Sequence, residues 1–332
     1  MPARPLLIFS GLLASSALAA PTIDPQFGDH AVIQRDKPII LSGTAAPEER
    51  LSVSFAGEQR SIAAAADGKW QASFVPRHEG GPLTIRVSGS SGEARADDVE
   101  MGDVWLCSGQ SNMEYPLRRA LNGDGEVQGS ADDDLRVIKV PQQLAPEPQA
   151  QFKKMPAWQR AAPDSVKDFS AACYFLARAL RSTEKVPIGA IDDTWGGTPI
   201  RAWMKEAAVR SSGGEKAADA VDLNRSNPTT ALRQFGAEWG AWWRSQTRDK
   251  PGDEPWNASD RLSWKPLPSL TYWDTWGPGW KAWIGAIWAR EQVILTPAEA
   301  AQTATLSLSA VDDMDQTFVN GVAVGGKNDP TN

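Results

Sequence analysis

The stretch that decides the fold is GDVWLCSGQSNMEYPL, residues 102–117. Its apolar run, residues 104–107, predicts a strand buried on both faces, as in a parallel sheet. The run stops at the small polar residues 108–112, at the carboxyl end of the strand, where α/β folds bind their ligands. A serine held there is either a nucleophile or part of a polar turn.

Ser111 is the candidate nucleophile. If a helix begins just after it, the free N–H groups of the first turn would face an oxyanion formed beside the hydroxyl. Gly109 leaves room for a ligand, and Gln110 and Asn112 can hydrogen-bond the loop without adding charge. The alternative is a helix N-cap, a position that serine favours. The pattern alone leaves both interpretations open.

A second turn of this kind follows the strand predicted at residues 186–191, in the sequence DDTWGGTPI. Gly196 and Gly197 let backbone N–H groups approach a ligand closely. Thr198 and Pro199 suit the N-cap and first turn of a helix. A plain tight turn is the alternative, but two such turns in consecutive α/β units are more informative than one.

The rest of the chain predicts three kinds of structure. Alternating runs before residue 102, such as Trp70, Ala72 and Phe74, predict a small antiparallel β-sandwich. DFSAACYFLARALRS predicts a helix, and strand–helix–strand order implies a parallel sheet. Near the end, TFVNGVAV predicts a hairpin that turns at Asn320 and Gly321. The apolar stripe of the predicted helix is Phe169, Ala172, Cys173, Leu176, Ala179 and Leu180.

The amino terminus predicts an exported protein. Arg4, an apolar core and an A-x-A pattern at residues 17–19 are typical of a cleaved signal peptide, and no later segment has the length of a membrane span. The predicted segments are a signal peptide at 1–19, a β-sandwich at 20–101, the first part of a hydrolase domain at 102–210, and a Trp-rich segment with a partial β module at 211–332.

Composition excludes some classes of function. The net charge is −7, and no segment concentrates Lys and Arg, which argues against a nucleic-acid partner. Asp312, Asp313 and Asp315 lack the glycine and glutamate of a calcium loop, so a polar turn is favoured. We expect no metal and no organic cofactor. The oligomeric state is left open.

Two residue types leave alternatives open. Cys107 and Cys173 are favoured as buried thiols, with a disulfide as the alternative that an exported location permits. Ten of the fifteen tryptophans lie between Trp239 and Trp288. They suit a sugar-stacking platform or the packing between modules equally well.

GDVWLCSGQSNMEYPL, FSAACYFLARAL and VPIGAIDDTWGGTPIRAWM together resemble the sialate O-acetylesterase family, a branch of the SGNH (GDSL-like) hydrolases. The likeness extends from the amino-terminal β region to LSAVDDMDQTFVNGVAVG, which resembles the β module inserted in that family's hydrolase domain. It implies an SGNH-type, flavodoxin-like parallel-sheet domain. It also implies that Ser111 is the nucleophile, that backbone N–H groups near Ser111 and Gly197 bind the oxyanion, and that Gly196 shapes the turn. Arg201 stands where relatives often carry an acidic residue.

A serine esterase also needs a base, usually a histidine oriented by a carboxylate. The chain has only His30 and His78, and neither lies in the carboxyl-terminal D-x-x-H context that the resemblance implies. We therefore expect a carbohydrate O-acetylesterase acting on an O-acetylated sugar or glycan, with this chain an inactive first part of it. The alternative is a non-catalytic glycan-binding or scaffold protein derived from such an esterase.

Overall fold

A computed structural model describes residues 20–145, 147–149, 151–257, 259–269, 271–302, 306–308, 311 and 315–327. The predicted signal peptide and the acidic residues 312 and 313 lie outside these ranges. The chain forms two compact units, the first ending at Trp203 and the second beginning at Met204. Within the described ranges, no helix is long and apolar enough to cross a membrane. The four segments drawn from the sequence stay a prediction.

The first unit combines one large mixed sheet with short helices and one longer helix, an α/β architecture. Its 3-10 turns lie at Pro25–Phe27, Leu117–Arg119 and Ile200–Trp203. Its strands and helices are, in chain order, β1 (Val32–Gln34), β2 (Ile39–Thr44), β3 (Arg50–Phe55), β4 (Glu58–Ala63), β5 (Lys69–Phe74), β6 (Gly80–Gly89), β7 (Gly92–Gly109), α1 (Ser111–Glu114), α2 (Gly123–Gln128), β8 (Asp132–Lys139), β9 (Gln159–Ala161), α3 (Pro163–Val166), α4 (Ala171–Glu184) and β10 (Ile188–Thr194).

Strand β7 joins the two regions of this sheet. The strand order is β4-β3-β6-β7-β10-β8-β9, and β1 also pairs with β7. The amino-terminal part of β7 is antiparallel to β6, whereas its last residues are parallel to β10, which is parallel to β8. The parallel sheet predicted from strand–helix–strand order is confirmed. One strand runs without interruption through Gly102, where the sequence pattern changes.

The amino-terminal strands form as their alternation predicts. In β5, Trp70, Ala72 and Phe74 are buried and the residues between them are exposed, because successive side chains of a strand point to opposite faces. Strand β5 pairs with β2 in a separate two-stranded sheet, and both share a hydrophobic core with β3 and β6.

Helix α4 forms where it was predicted but buries a different face. The Ser170 hydroxyl accepts the Cys173 N–H at its start, and Lys185 in the left-handed region follows its end. Ala171, Tyr174 and Ala177 are buried, whereas Ala172, Leu176 and Ala179 are exposed. Of the predicted stripe, Phe169 and Cys173 are buried and Leu180 is partly buried against the same core. The prediction is wrong at its other three positions, because the partner strands select the buried face.

The apolar run before Ser111 is not buried on both faces. Trp105 is 44% exposed and Leu106 is 64% exposed, whereas Cys107 is 5% exposed. Cys107 packs in a hydrophobic cluster with residues of α4. The helix therefore covers β7 at Cys107 but not at Trp105 and Leu106. The expected strand is present, but its expected burial is wrong at those two positions.

Cys107 and Cys173 form a disulfide, with their Cα atoms 5.8 Å apart. The favoured interpretation, buried free thiols, is therefore wrong. The bond ties the last part of β7 to the first turn of α4. It closes a sequence separation of 66 residues.

A partly buried ion-pair cluster lies beside β7. Asp98 on β7 accepts hydrogen bonds from Arg136 on β8 and from Arg160 on β9, and its Oδ2 lies 2.6 Å from the His30 Nδ1. Arg136 is 1% exposed and also lies 3.6 Å from Glu100. Burial disfavours the Asp98 carboxylate, but the hydrogen bonds from Arg136, His30 and Arg160 outweigh it and hold the pKa of Asp98 well below its usual range. Burial raises the pKa of Glu100.

The second unit is helical with one hairpin. Its 3-10 turns lie at Ser259–Arg261 and Trp273–Trp276. The hairpin predicted at Asn320 and Gly321 is confirmed, and both residues have positive φ, as a tight two-residue turn requires. The elements are α5 (Glu206–Ser211), α6 (Glu215–Ser226), α7 (Pro228–Gln246), α8 (Pro297–Ala300), β11 (Asp315–Val319) and β12 (Val322–Lys327).

The tryptophans of this unit pack on one another in two groups. The first surrounds Trp239 and includes the parallel rings of Trp256 and Phe318, whose centroids are 4.5 Å apart. Helix α7 and the hairpin thus meet through aromatic rings, which favours a packing role for this group. The first group is Trp239, Trp242, Trp243, Trp256, Trp288 and Phe318, and the second is Trp273, Trp276, Trp280 and Trp283.

Replacing Asp98 by asparagine tests the ion-pair cluster. The stability from ionised Asp98 is present above about pH 4, the usual carboxyl pKa, and is lost as the pH falls towards its depressed folded pKa. We expect Asp98→Asn to lower the free energy of unfolding by about 2 kcal/mol at pH 7 and by less at pH 3, measured by urea titration. Asp97→Asn, which removes an exposed pair with Arg95, is the control, with a loss below about 1 kcal/mol. Equal losses at both pH values would contradict the assignment.

Removing the disulfide tests its contribution. We expect the double variant Cys107→Ala, Cys173→Ala to lose about 4 kcal/mol of unfolding free energy, from the closure entropy of a loop of this length. Denaturant unfolding of the variant beside the oxidised parent measures the loss. Equal stability of the two proteins would show that the bond does not constrain the unfolded chain.

Candidate active site

Ser111 lies two residues after the end of β7 and is the first residue of α1, as the nucleophile interpretation requires. The N-cap is Gln110, not Ser111, so the N-cap alternative for the serine is wrong. The Gln110 Oε1 accepts both the Ser111 N–H at 3.1 Å and the Ser111 hydroxyl at 2.9 Å. Ser111 is exposed.

Gly109 closes the ladder at the end of β7. Its carbonyl accepts the Trp195 N–H at 2.9 Å. Its φ is +143°, and an added Cβ would lie 2.9 Å from the Met113 Cγ, so a side chain there would be strained and crowded. Asn112 is exposed, and no side-chain hydrogen bond involves it among the described residues.

The turn after β10 comes against Ser111. A Cβ added to Gly196 would lie 3.6 Å from the Ser111 Cα and 2.6 Å from the Glu114 Oε2. Gly197 follows with a φ of +73°. Thr198 does not cap an α-helix; its hydroxyl donates to the Trp195 carbonyl, and a 3-10 turn that contains the exposed Arg201 follows. The two turns predicted from sequence therefore meet, through Gly196.

Glu114 is a residue that the sequence interpretation missed. Its Oε2 accepts the Gly196 N–H at 2.5 Å, and its Oε1 accepts the Gln142 side-chain amide at 2.6 Å. Gln142 also donates to the Thr194 carbonyl at 3.3 Å. The available signal was its place three residues after Ser111, which puts both side chains on one face of a helical turn.

A cavity of about 470 Å³ opens beside Ser111. Its wall carries three cationic and two anionic side chains and one tyrosine ring. The lining residues are Ser111, Glu114, Tyr115, Pro116, Arg118, Arg119, Lys139 and Asp168.

The charges of this wall are partly paired. The Arg118 Nε donates to Asp168 at 2.5 Å, and this hydrogen bond holds the pKa of Asp168 below its usual value. The Lys139 Nζ donates to the Asp168 carbonyl at 2.7 Å and lies 3.5 Å from the fully buried Asp192. Arg119 has no ion pair within the described part of the chain.

Two adjacent aspartates, Asp192 and Asp193, lie near the end of β10 in different environments. Asp192 is fully buried and accepts the Ser170 N–H and the Thr194 hydroxyl. The Asp193 side chain has neither a hydrogen bond nor an ion pair among the described residues. Burial, with the nearby Asp192 charge, raises the pKa of Asp193.

Neither histidine contacts Ser111. His30 lies against Asp98, and the exposed His78 has its Nδ1 2.6 Å from Asp36. The described residues thus place no imidazole on the serine hydroxyl. Over the same residues, no group of three or more His, Cys, Asp or Glu side chains could hold a metal ion.

Several known proteins are similar in sequence or structure to part of this chain. A sialate O-acetylesterase of Pongo abelii is 32% identical over 155 residues, which are 43% of this chain and 30% of that protein. The enzyme of the same name from Homo sapiens is 29% identical over 191 residues, 52% of this chain and 36% of that protein. The crystal structure of a carbohydrate acetylesterase from Xanthomonas citri matches with a TM-score of 0.55 and 40% identity, over 57% of this chain and 43% of that one. The chain is similar to members of the sialate O-acetylesterase family.

These relatives confirm the resemblance to that family stated from the sequence motifs. The chain spans about a third of the length of these two curated relatives and less than half of the Xanthomonas citri structure. No protein-family profile matches it. Its residue roles and its activity therefore need separate support.

Substituting Gly196 tests the contact between the two turns. We expect Gly196→Ala to lower the free energy of unfolding by about 1–3 kcal/mol, because the new methyl group displaces the Glu114 carboxylate from the Gly196 N–H. Gly129→Ala is the control, since the nearest atom to its added Cβ would be the Gly125 carbonyl oxygen, 3.4 Å away. Urea unfolding of the two variants side by side measures the difference, and equal stabilities would contradict the contact.

Proposed function

We propose that this chain carries the nucleophile of a serine ester hydrolase that removes O-acetyl groups from carbohydrates. The observation that supports it best is the exposed Ser111, which lines the cavity while Gly196 lies against its Cα. The similar proteins are named as acetylesterases of sialate or carbohydrate, which supports an ester bond as the target and a carbohydrate as the substrate. The substrate is an O-acetylated sugar or glycan, such as a sialic acid or a plant-wall polysaccharide.

The reaction is acyl transfer in two steps. The Ser111 oxygen attacks the acetyl carbonyl, the sugar oxygen leaves with a proton, and water then releases acetate from the acyl-enzyme. Backbone N–H groups at Ser111 and Gly197 bind the oxyanion in this proposal. Because the Gln110 side chain accepts the Ser111 N–H, that amide must be released before it can act.

The proposal extends to the fold and to the location of the protein. The parallel strands form the first part of an SGNH-type domain, flanked by an amino-terminal β-sandwich and a partial inserted β module. The protein is exported, with a signal peptide at residues 1–19. A base must take the Ser111 proton, and the histidine contacts described above do not supply one. We therefore expect the 332 residues by themselves to hydrolyse acetyl esters slowly.

A second candidate function is non-catalytic binding of glycans. The contacts of His30 and His78 favour it, since both imidazoles face aspartates elsewhere on the unit. The second tryptophan group, with Trp273 42% exposed, offers an aromatic face for a sugar ring.

Labelling with a fluorophosphonate separates the two functions. An activated serine in an oxyanion-binding site reacts with this probe, and an ordinary surface serine does not. Because neither histidine contacts Ser111, we expect slow but selective label on Ser111, read by peptide mass spectrometry, and none in Ser111→Ala. Ser108→Ala, which removes another exposed serine three residues earlier, should label like the parent.

Absence of label on the parent protein would contradict the nucleophile and favour the binding function. Rapid hydrolysis of an aryl acetate by the 332-residue chain, if lost in Ser111→Ala, would support Ser111 as the nucleophile. It would contradict the slow turnover that we expect.

A further inference from the structure

We infer that Glu114 is a positioning residue that fixes the Gly196 turn against Ser111 during acyl transfer. This inference rests on the proposed function. Glu114 does not touch the reacting atoms in it. Its role is to hold two backbone segments, the α1 turn and the β10 turn, at one separation.

Both oxygens of the Glu114 carboxylate are engaged. Oε2 accepts the Gly196 N–H at 2.5 Å, and Oε1 accepts the Gln142 amide at 2.6 Å. The Gln142 amide reaches on to the Thr194 carbonyl. One carboxylate therefore contacts the turn directly and the end of β10 through Gln142. Hydrogen bonds to an ionised acceptor are about twice as strong as neutral ones.

The helix that carries Ser111 needs such support. Helix α1 has four residues, and a single turn has little stability of its own. Inside it, the Met113 and Glu114 N–H groups both donate to the Gln110 carbonyl. Glu114 thus joins this short turn to the sheet at a second point, in addition to the chain entering from β7.

The same contact separates the roles of the two glycines. The Gly196 N–H is directed at Glu114, so it holds the turn and does not face an oxyanion. Gly196 is also the position where a side chain would collide with the carboxylate. This agrees with a turn-shaping role for Gly196, as distinct from an oxyanion-binding one.

Kinetics of variants test the inference on the full chain. We expect Glu114→Ala to slow the reaction of Ser111 at saturating fluorophosphonate by about 100-fold, with half-saturation changed less than about threefold, because misplacement lowers the rate rather than the affinity. In Glu114→Gln the side-chain oxygen can still accept the Gly196 N–H, but the new NH₂ group faces the NH₂ group of Gln142, and both are donors. We expect the reaction rate of this variant to fall about tenfold. Glu126→Ala removes a carboxylate on α2 that pairs with Arg178 on α4, and this variant should react like the parent.

A second measurement does not depend on activity. In a ¹H–¹⁵N spectrum, the Gly196 amide should move upfield in Glu114→Ala as its charged acceptor is lost, with an intermediate position in Glu114→Gln and none of this change in Glu126→Ala. A reaction rate of Glu114→Ala equal to the parent would overturn the inference. So would an unchanged Gly196 amide, or an equal loss of rate in Glu126→Ala.

The proposed function and the inference fail in different ways. A parent protein whose Ser111 neither takes the label nor hydrolyses aryl acetates contradicts the proposed function. The Gly196 amide then decides whether Glu114 holds the turn. A change in the chemical shift of the Gly196 amide in Glu114→Ala would support the contact between Glu114 and the turn, and an unchanged shift would contradict it.

Discussion

The continuity of β7 is the constraint on which the first unit depends. This strand of 18 residues pairs with β6, then with β1, and then with β10 before it ends at Gly109. Its hydrogen-bond ladders fix its direction and register along both regions. The position of Ser111, two residues later, therefore follows from the packing of the β-rich core as well as from the parallel strands.

Three further ties of different chemistry converge on the segment that ends β7. The disulfide at Cys107 joins it to α4, the Trp195 N–H extends its ladder to Gly109, and Glu114 joins α1 to the turn at Gly196. Covalent, neutral and charge-assisted links respond differently to denaturant and pH. The candidate nucleophile Ser111 is thus held in place while it stays exposed beside the cavity.

Local patterns in the sequence predicted much of this. Alternation gave β5, Asn320 and Gly321 marked the hairpin, and the strand–turn pattern located Ser111 at the start of a helix. Three predictions were wrong because they depend on contacts between distant parts of the chain. They concern the face that α4 buries, the burial of Leu106, and the state of the two cysteines. Glu114 was missed for the same reason, because its carboxylate contacts a turn that lies 82 residues away along the chain.

The uninterrupted strand also limits how this protein can be divided. Cutting the chain at residue 102 would not release two modules, because the hydrogen bonds of β1 and β10 meet there, at neighbouring residues of β7. Each fragment would keep an unpaired strand edge, which invites association with other chains. Recombination with unrelated proteins at this point is disfavoured, and the β-rich region and the α/β layer would be inherited together.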